Sequence, residues 1–249
     1  MAELKLDHVT VNVPVATQVK TLLQDVTLTV KTGEFVTVLG HNGAGKSTLF
    51  NAITGDLPVS GGTVTLAGQT LNGRRPEQRA RHIARVSGSK MGTAPRMTVA
   101  ENLLLASHRG QRLGLRSRGL NAQKAQLKAL AAKTGNGLAE ALDKPTEQLS
   151  GGQRQALSLL MATMRKPDLL LLDEHTAALD PHTSQAIMAL TNAIVSEQQL
   201  TCLMITHQVE DALRYGNRLI VLDAGQIVAD FDQKRKAALK RADVLAFFN

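Results

Sequence analysis

Short apolar runs separated by helix-like stretches dominate the chain. Val26, Leu28 and Val30 alternate with polar residues, which predicts a half-exposed strand. Residues 35–39 form a second apolar run that leads directly into a glycine-rich turn. Further strands are predicted over residues 63–67, 83–86, 169–172, 201–205, 218–222 and 226–229. The leucines at 169–172 are apolar on both faces, as in a central strand covered on both sides. From about residue 88 to 165 the strand pattern stops, and residues 103–105, 127–130, 138–142 and 157–164 read as helices broken by glycines. The pattern therefore predicts an α/β fold: a sheet core formed by about 1–87 and 166–249, with a helical subdomain inserted at about 88–165. Residues 234–241 are basic and helical in pattern and run into apolar positions at 244–248, which predicts an amphipathic surface helix. Nothing repeats at a solenoid period.

Composition narrows this picture. A chain of 249 residues, 43% hydrophobic and 20% charged, can bury a sizeable core and is not of the disordered class. Five Phe, one Tyr and no Trp leave little for base-stacking platforms. The net charge of +8 suits acidic partners such as nucleotides, nucleic acid or an anionic membrane face. A single cysteine, Cys202, rules out an internal disulfide. Glu3, Lys5 and Asp7 interrupt any N-terminal apolar run, and no stretch approaches the roughly 18 apolar residues of a membrane span. The expectation is a protein soluble by itself.

Three segments carry chemistry. Gly40-His41-Asn42-Gly43-Ala44-Gly45-Lys46-Ser47-Thr48 follows a predicted strand and fits GxxxxGK[ST]. Such a loop turns successive N–H groups onto phosphate oxygens, with Lys46 reaching the β- and γ-phosphates and Ser47 ligating Mg²⁺. The leucine run at 169–172 ends in Asp173 and Glu174, placed to hold Mg²⁺ through water and to orient or deprotonate an attacking water. Ser150-Gly151-Gly152-Gln153 has the spacing of a helix capping box. Its two glycines leave the helix start open to an anion, and the two readings are compatible.

With Ser150–Gln153 ahead of Asp173, the chain resembles the ATP-binding cassette (ABC) ATPases over essentially its whole length. Ala178-Leu179-Asp180 matches the family's D-loop, and His207, after the strand at 201–205, its switch histidine. The resemblance implies a mixed-sheet core, an antiparallel β-subdomain and the inserted helical subdomain. It implies ATP and Mg²⁺ as ligands and a head-to-tail dimer, a homodimer or a paired cassette. Lys46, Ser47 and Thr48, with Gly40, Asn42, Gly43, Ala44 and Gly45 of the loop, would bind phosphate in cis, and Asp173 would join Ser47 at the metal. Ser150 and Gly152, flanked by Gly151 and Gln153, would contact the γ-phosphate in trans. Glu174 would polarise water, His207 would sense the γ-phosphate and Asp180 would communicate across the dimer. Lys46, Glu174 and His207 form the catalytic group.

Two departures stand out. No Phe, Tyr or Trp precedes Phe35, so the aromatic that many relatives stack on adenine is absent; Val13 and His8 are the nearest candidates for its place. Losing one such stack costs roughly 1 kcal/mol. No Gln occurs between Gln78 and Gln111, although relatives place one after the strand ending near Val86; Ser87 or Ser89 offers only a hydroxyl, unless a water replaces the side chain. His175, where relatives commonly have Pro, is expected to pair with an acid, tune its loop or sit on the surface. The basic stretch 109–118 reads as a solvated loop with some affinity for anionic headgroups.

The expected function is the ATP-hydrolysing subunit of a membrane transporter with separate spanning chains. It would sit at the cytoplasmic membrane face, with a substrate-binding protein as indirect partner and no nucleic acid. The 91–95 and 173–180 motifs look like bacterial cassettes paired with a lipoprotein and a permease resembling branched-chain amino acid permeases, some linked to aromatic amino acid uptake. The alternatives are a soluble cassette acting on nucleic acid or in cofactor assembly, and a regulatory cassette with weak hydrolysis.

Overall fold

A computed structural model describes residues 3–88, 92–111 and 119–248. Strands β1 (Leu4–Val15), β2 (Gln18–Val30) and β3 (Phe35–Leu39) precede helix α1 (Lys46–Thr54). Then come β4 (Gly61–Leu66), β5 (Gln69–Thr70), α2 (Pro76–Arg79), β6 (Ile83–Ser87), α3 (Val99–Ser107), α4 (Leu120–Ala132) and α5 (Gly151–Thr163). The chain continues with β7 (Leu169–Asp173), α6 (Pro181–Gln198), β8 (Cys202–Ile205), α7 (Val209–Arg214), β9 (Arg218–Asp223) and β10 (Gln226–Phe231). It closes with α8 (Gln233–Ala238) and α9 (Arg241–Leu245). The chain divides into two compact units, one of Met1–Ile83, Asp168–Glu174 and Gln199–Asn249, the other of Ala84–Pro167 and His175–Gln198.

In the first unit an antiparallel sheet runs in the order β2-β1-β4-β5, and a mixed sheet runs β10-β9-β3-β8-β7. β3 pairs in parallel with both β8 and β9, β7 pairs in parallel with β8, and β10 is antiparallel to β9. Every residue of β3 and β8 is buried, as a parallel strand covered on both faces requires. Leu49, Phe50 and Ile53 of α1 meet leucines and valines of both sheets in one apolar core.

The hairpin of β1 and β2 is much longer than the residues that predicted it. Leu4 and Leu6 alternate inward, but Val9 breaks the period, because His8 takes φ 52° in a bulge. Asp25, at φ 54°, makes the matching slip in β2, and its carboxylate meets His8 Nδ1 at 2.6 Å. Two facing bulges hide a twelve-residue strand from a period-two reading.

The second unit is helical. Thr98 and Glu101 cap α3 reciprocally, Ser150 and Gln153 do the same for α5, and Pro181 opens α6. Residues 175–198, expected with the sheet core, group with this helical unit. Residues 138–142, expected as a helix, form turns. Their backbone bonds run three residues back, and Gly135 and Gly137 at positive φ and Pro145 bracket the segment. The tail is likewise not one helix: Leu239, at ψ 137°, separates α8 from α9. Of the basic stretch 109–118, Arg109 and Gly110 are described, and Arg109 bonds the carbonyls of Ala162 and Arg165 at the end of α5; residues 112–118 lie outside the described residues.

Candidate functional site

The residues 40–45 link the buried strand β3 to α1. A Cβ on Gly40 would lie 2.3 Å from the Leu222 carbonyl oxygen, so the loop leaves the sheet at a point where only glycine fits. Gly45 caps α1 with no side-chain bond, which leaves the helix-start N–H groups free to face an anion. Ala44 is buried, and its carbonyl accepts the Gly225 N–H at 2.9 Å, tying the loop to the β9–β10 turn. Ser47, Asn42 and Gly43 are exposed, and Thr48 is half-buried.

Lys46 is only 5% exposed. Its ammonium donates to the carbonyls of Gly40 at 2.6 Å and His41 at 2.8 Å, a charge held inside its own loop. Burial lowers its pKa, while the carboxylates of Glu174 and Asp173 pull it back up. Asp173 closes β7, half-buried, and Glu174 follows at φ 47°, a left-handed conformation uncommon for a carboxylate residue. Its N–H is anchored on the Ile205 carbonyl at 3.1 Å, and its Oε1 meets His207 Nε2 at 2.5 Å. Strand pairing explains the meeting, since Asp173 stands opposite Ile205 and each pair partner lies just beyond. One cavity of about 440 Å³ is walled by Lys46, Ser47, Thr48, Glu174 and residues 20–22 of β2. A glycine-rich loop, an ammonium and a carboxylate thus share one wall, the kinds of group that phosphoryl transfer to water requires.

Val13 pairs with Lys20, one strand away from that cavity wall, and His8 is bound to Asp25; neither lines the cavity. Ser87 ends β6 half-buried, whereas Ser89 and Met91 lie outside the described residues. Among the described residues no cluster of three or more His, Cys, Asp or Glu is arranged to hold a metal. An oxygen pair such as Ser47 and Asp173, completed by phosphate and water, suits Mg²⁺.

The remaining candidates lie in the helical unit. Ser150 Oγ accepts the Gln153 N–H at 3.2 Å while Gln153 Oε1 accepts the Ser150 N–H at 3.1 Å, the reciprocal cap its spacing announces. Gln153 Nε2 also donates to the Asn136 carbonyl, an anchor the sequence does not reveal. Gly152 is buried, and a Cβ there would stand 2.5 Å from Thr183 Cγ2 of α6. Internal packing alone is a reason for that glycine. Asp180 accepts the Thr183 N–H at 3.0 Å, and the hydrogen bonds from Thr183 hold its carboxyl below the usual range.

His175 lies in neither of the two places expected of it, the surface or an acid partner. It is 2% exposed, and its Nε2 lies 3.0 Å from Thr191 Oγ1. The Thr191 hydroxyl donates to the Ile187 carbonyl, so the imidazole Nε2–H is the donor to Thr191. Burial pushes its pKa down to about 4.

Among known proteins, a family model described as ABC transporter matches residues 23–177. The tyrosine transport ATP-binding protein of Clostridioides difficile (strain R20291) is 42% identical over 229 residues, 92% of this chain and 91% of that one. A phosphonates import ATP-binding protein of Oceanobacillus iheyensis is 36% identical over 84% of this chain and 83% of its own length. A thiamine import ATP-binding protein of Shigella flexneri serotype 5b is 35% identical over 80% of this chain and 82% of its own. A dimeric structure of the ATP-binding cassette MJ0796 in a post-hydrolysis state, bound to ADP and Pi, superposes with a TM-score of 0.78 at 26% identity. That match covers 92% of this chain and 98% of the other.

Proposed function

Because the chain belongs to the ABC transporter family of ATP-binding cassettes, and is an ATPase, we propose that it powers a bacterial importer of an amino acid of the tyrosine type. The observation that carries the hydrolytic half is the meeting of Glu174 with His207 beside the wall formed by Lys46 and Ser47. The substrate class rests on the 42% identity with a tyrosine transport subunit, set against 36% and 35% for the phosphonate and thiamine subunits.

In this reading Lys46 leaves the loop carbonyls and binds the β- and γ-phosphates, helped by the N–H groups of residues 40–48. Ser47 and Asp173 would hold Mg²⁺, which supplies positive charge against the phosphates. Glu174 accepts a proton from the attacking water, and His207 steadies both Glu174 and the γ-phosphate. Two copies work head to tail. Ser150 and Gly152, with Gly151 and Gln153, of one copy close on the nucleotide held by the other, and Asp180 links the two sites. Dimer opening after hydrolysis moves separate membrane-spanning subunits, which places the chain on the cytoplasmic membrane face, with a substrate-binding protein as the outer partner. The sheet core and helical subdomain are parts of one cassette domain. Among the described residues no helix is long and apolar enough to cross a membrane, in keeping with separate spanning subunits.

The test is to purify the chain from membranes with its bound spanning subunits, reconstitute them with their binding protein and follow uptake. ATP-driven uptake of labelled tyrosine supports the reading, and uptake of thiamine or phosphonate but not tyrosine replaces the substrate. A second reading, a cassette that binds ATP but cleaves it slowly, draws on the absence of Gln between Gln78 and Gln111. It predicts a wild-type dimer with ATP and negligible phosphate release.

A further inference from the structure

The C-terminal tail reaches the phosphate loop. The Phe248 ring stands edge-on to the His41 ring, with centroids 4.7 Å apart and planes at 72°, the favourable T-shaped arrangement. The contact is well supported from beneath. Val244 of α9 is fully buried in a small core with Leu39, Val221 and Phe231, and Phe248 packs against that core. Leu39 is the last residue of β3, immediately before the loop. Phe247 lies edge-on to Phe231, with centroids 5.8 Å apart, which fixes the tail a second time. A cavity of about 610 Å³ has Phe248 and Leu245 on one side and His41, Asn42, Glu174 and His207 on the others.

His41 couples that contact to the chemistry. Its carbonyl accepts both the Lys46 ammonium, at 2.8 Å, and the Ala44 N–H, at 3.2 Å. Rotating the His41 peptide therefore disturbs the lysine and the loop turn together. His41 is otherwise exposed, so the tail ring restrains its side chain where solvent would leave it free.

We propose that Phe248 is a positioning residue for the phosphate loop: through His41 it holds the backbone turn of residues 40–45 in the form that receives the nucleotide phosphates, while the Lys46 side chain stays free to swing from the carbonyls to the phosphates. The C-terminal tail thus sets ATP affinity without touching the reacting atoms. The site gains from being built in advance, since a loop already ordered loses less freedom on binding. This rests on the reading of the loop as the ATP site.

The experiment is a double-mutant cycle on the full chain, with Phe248→Ala, His41→Ala and the pair, reading both the Kd for a fluorescent ATP analogue and the KM and kcat for ATP. Phe248→Ala should raise Kd and KM about three- to tenfold, the size expected of one aromatic pair, while kcat changes by less than about twofold. Phe248→Tyr should restore wild-type values. In the His41→Ala background, Phe248→Ala should add little. An equal rise in both backgrounds would mean that Phe248 acts on general stability, and the proposal fails. No rise in Kd with a folded Phe248→Ala chain also overturns it. Should Phe248→Ala not fold, Phe248→Leu keeps the apolar contact without the ring, and wild-type affinity in that variant would equally count against it. Failure of the wild-type chain to bind the nucleotide at all would overturn the reading of the loop itself, and this inference with it.

Discussion

At the scale of single residues, two buried positions have consequences that differ from their neighbours'. His175 is neutral in the fold, with a pKa of about 4 against 6.5 in an unfolded chain. Between those values the unfolded state binds the proton and the folded state does not, so stability rises with pH through this window and is lost as pH falls from 6.5 to 4. The full loss from this one group is about 3 kcal/mol. Denaturant unfolding at pH 7 and at pH 4.5 should show His175→Gln losing less stability on acidification than wild type; identical losses would place the imidazole in solvent. Gly152 is the other. With Thr183 Cγ2 so near, Gly152→Ala should destabilise the chain by about 1 kcal/mol. Thr183→Ala in the same chain should recover most of that in thermal melts. If the double variant is stable yet does not hydrolyse ATP, the glycine also serves nucleotide approach, as Ser150 and its neighbours are proposed to do.

Among the elements, α8 shows how the tail is secured. Lys236 is buried, and its ammonium donates to the carbonyls of Tyr215 and Gly216 just beyond α7, with Thr37 nearby. Burial pushes its pKa down to about 8, the cost of taking a charge out of water. Lys236→Met removes the ammonium donor from both carbonyls, that of buried Tyr215 included, and should cost roughly 1–3 kcal/mol, felt mainly by the tail. Hydrogen exchange should quicken in α8, α9 and residues 246–248 and leave β3 unchanged. Unaltered tail exchange would mean that the apolar contacts of Val244 and Phe231 suffice alone.

On the scale of the whole molecule, the sequence shows the glycine-rich loop, the acidic strand end and the Ser150–Gln153 cap, because each is a local arrangement of nearby residues, whereas the Thr98–Glu101 cap is found only in the structure. Glu174 and His207 were also legible, but their meeting depends on the register between β7 and β8, which no local pattern carries. What escaped was structure made by irregularity. The β1–β2 hairpin was hidden by the paired bulges at His8 and Asp25, and the helix expected at 138–142 gave way to turns set by glycine and proline. The place of His175 was missed because its partner Thr191 lies on another element, sixteen residues along. The net charge of +8 suggested nucleic acid, yet among basic side chains Lys46 alone was assigned to phosphate by its motif.

The cavity of Lys46 and Glu174 is where this chain is proposed to cleave ATP. Phosphate release by the purified chain, with Mg²⁺ and ATP, tests it most directly when wild type is compared with Glu174→Gln. Turnover in wild type and a loss of at least about a hundredfold in the variant, with nucleotide still bound, is the predicted result. Equal turnover in the two chains would contradict it.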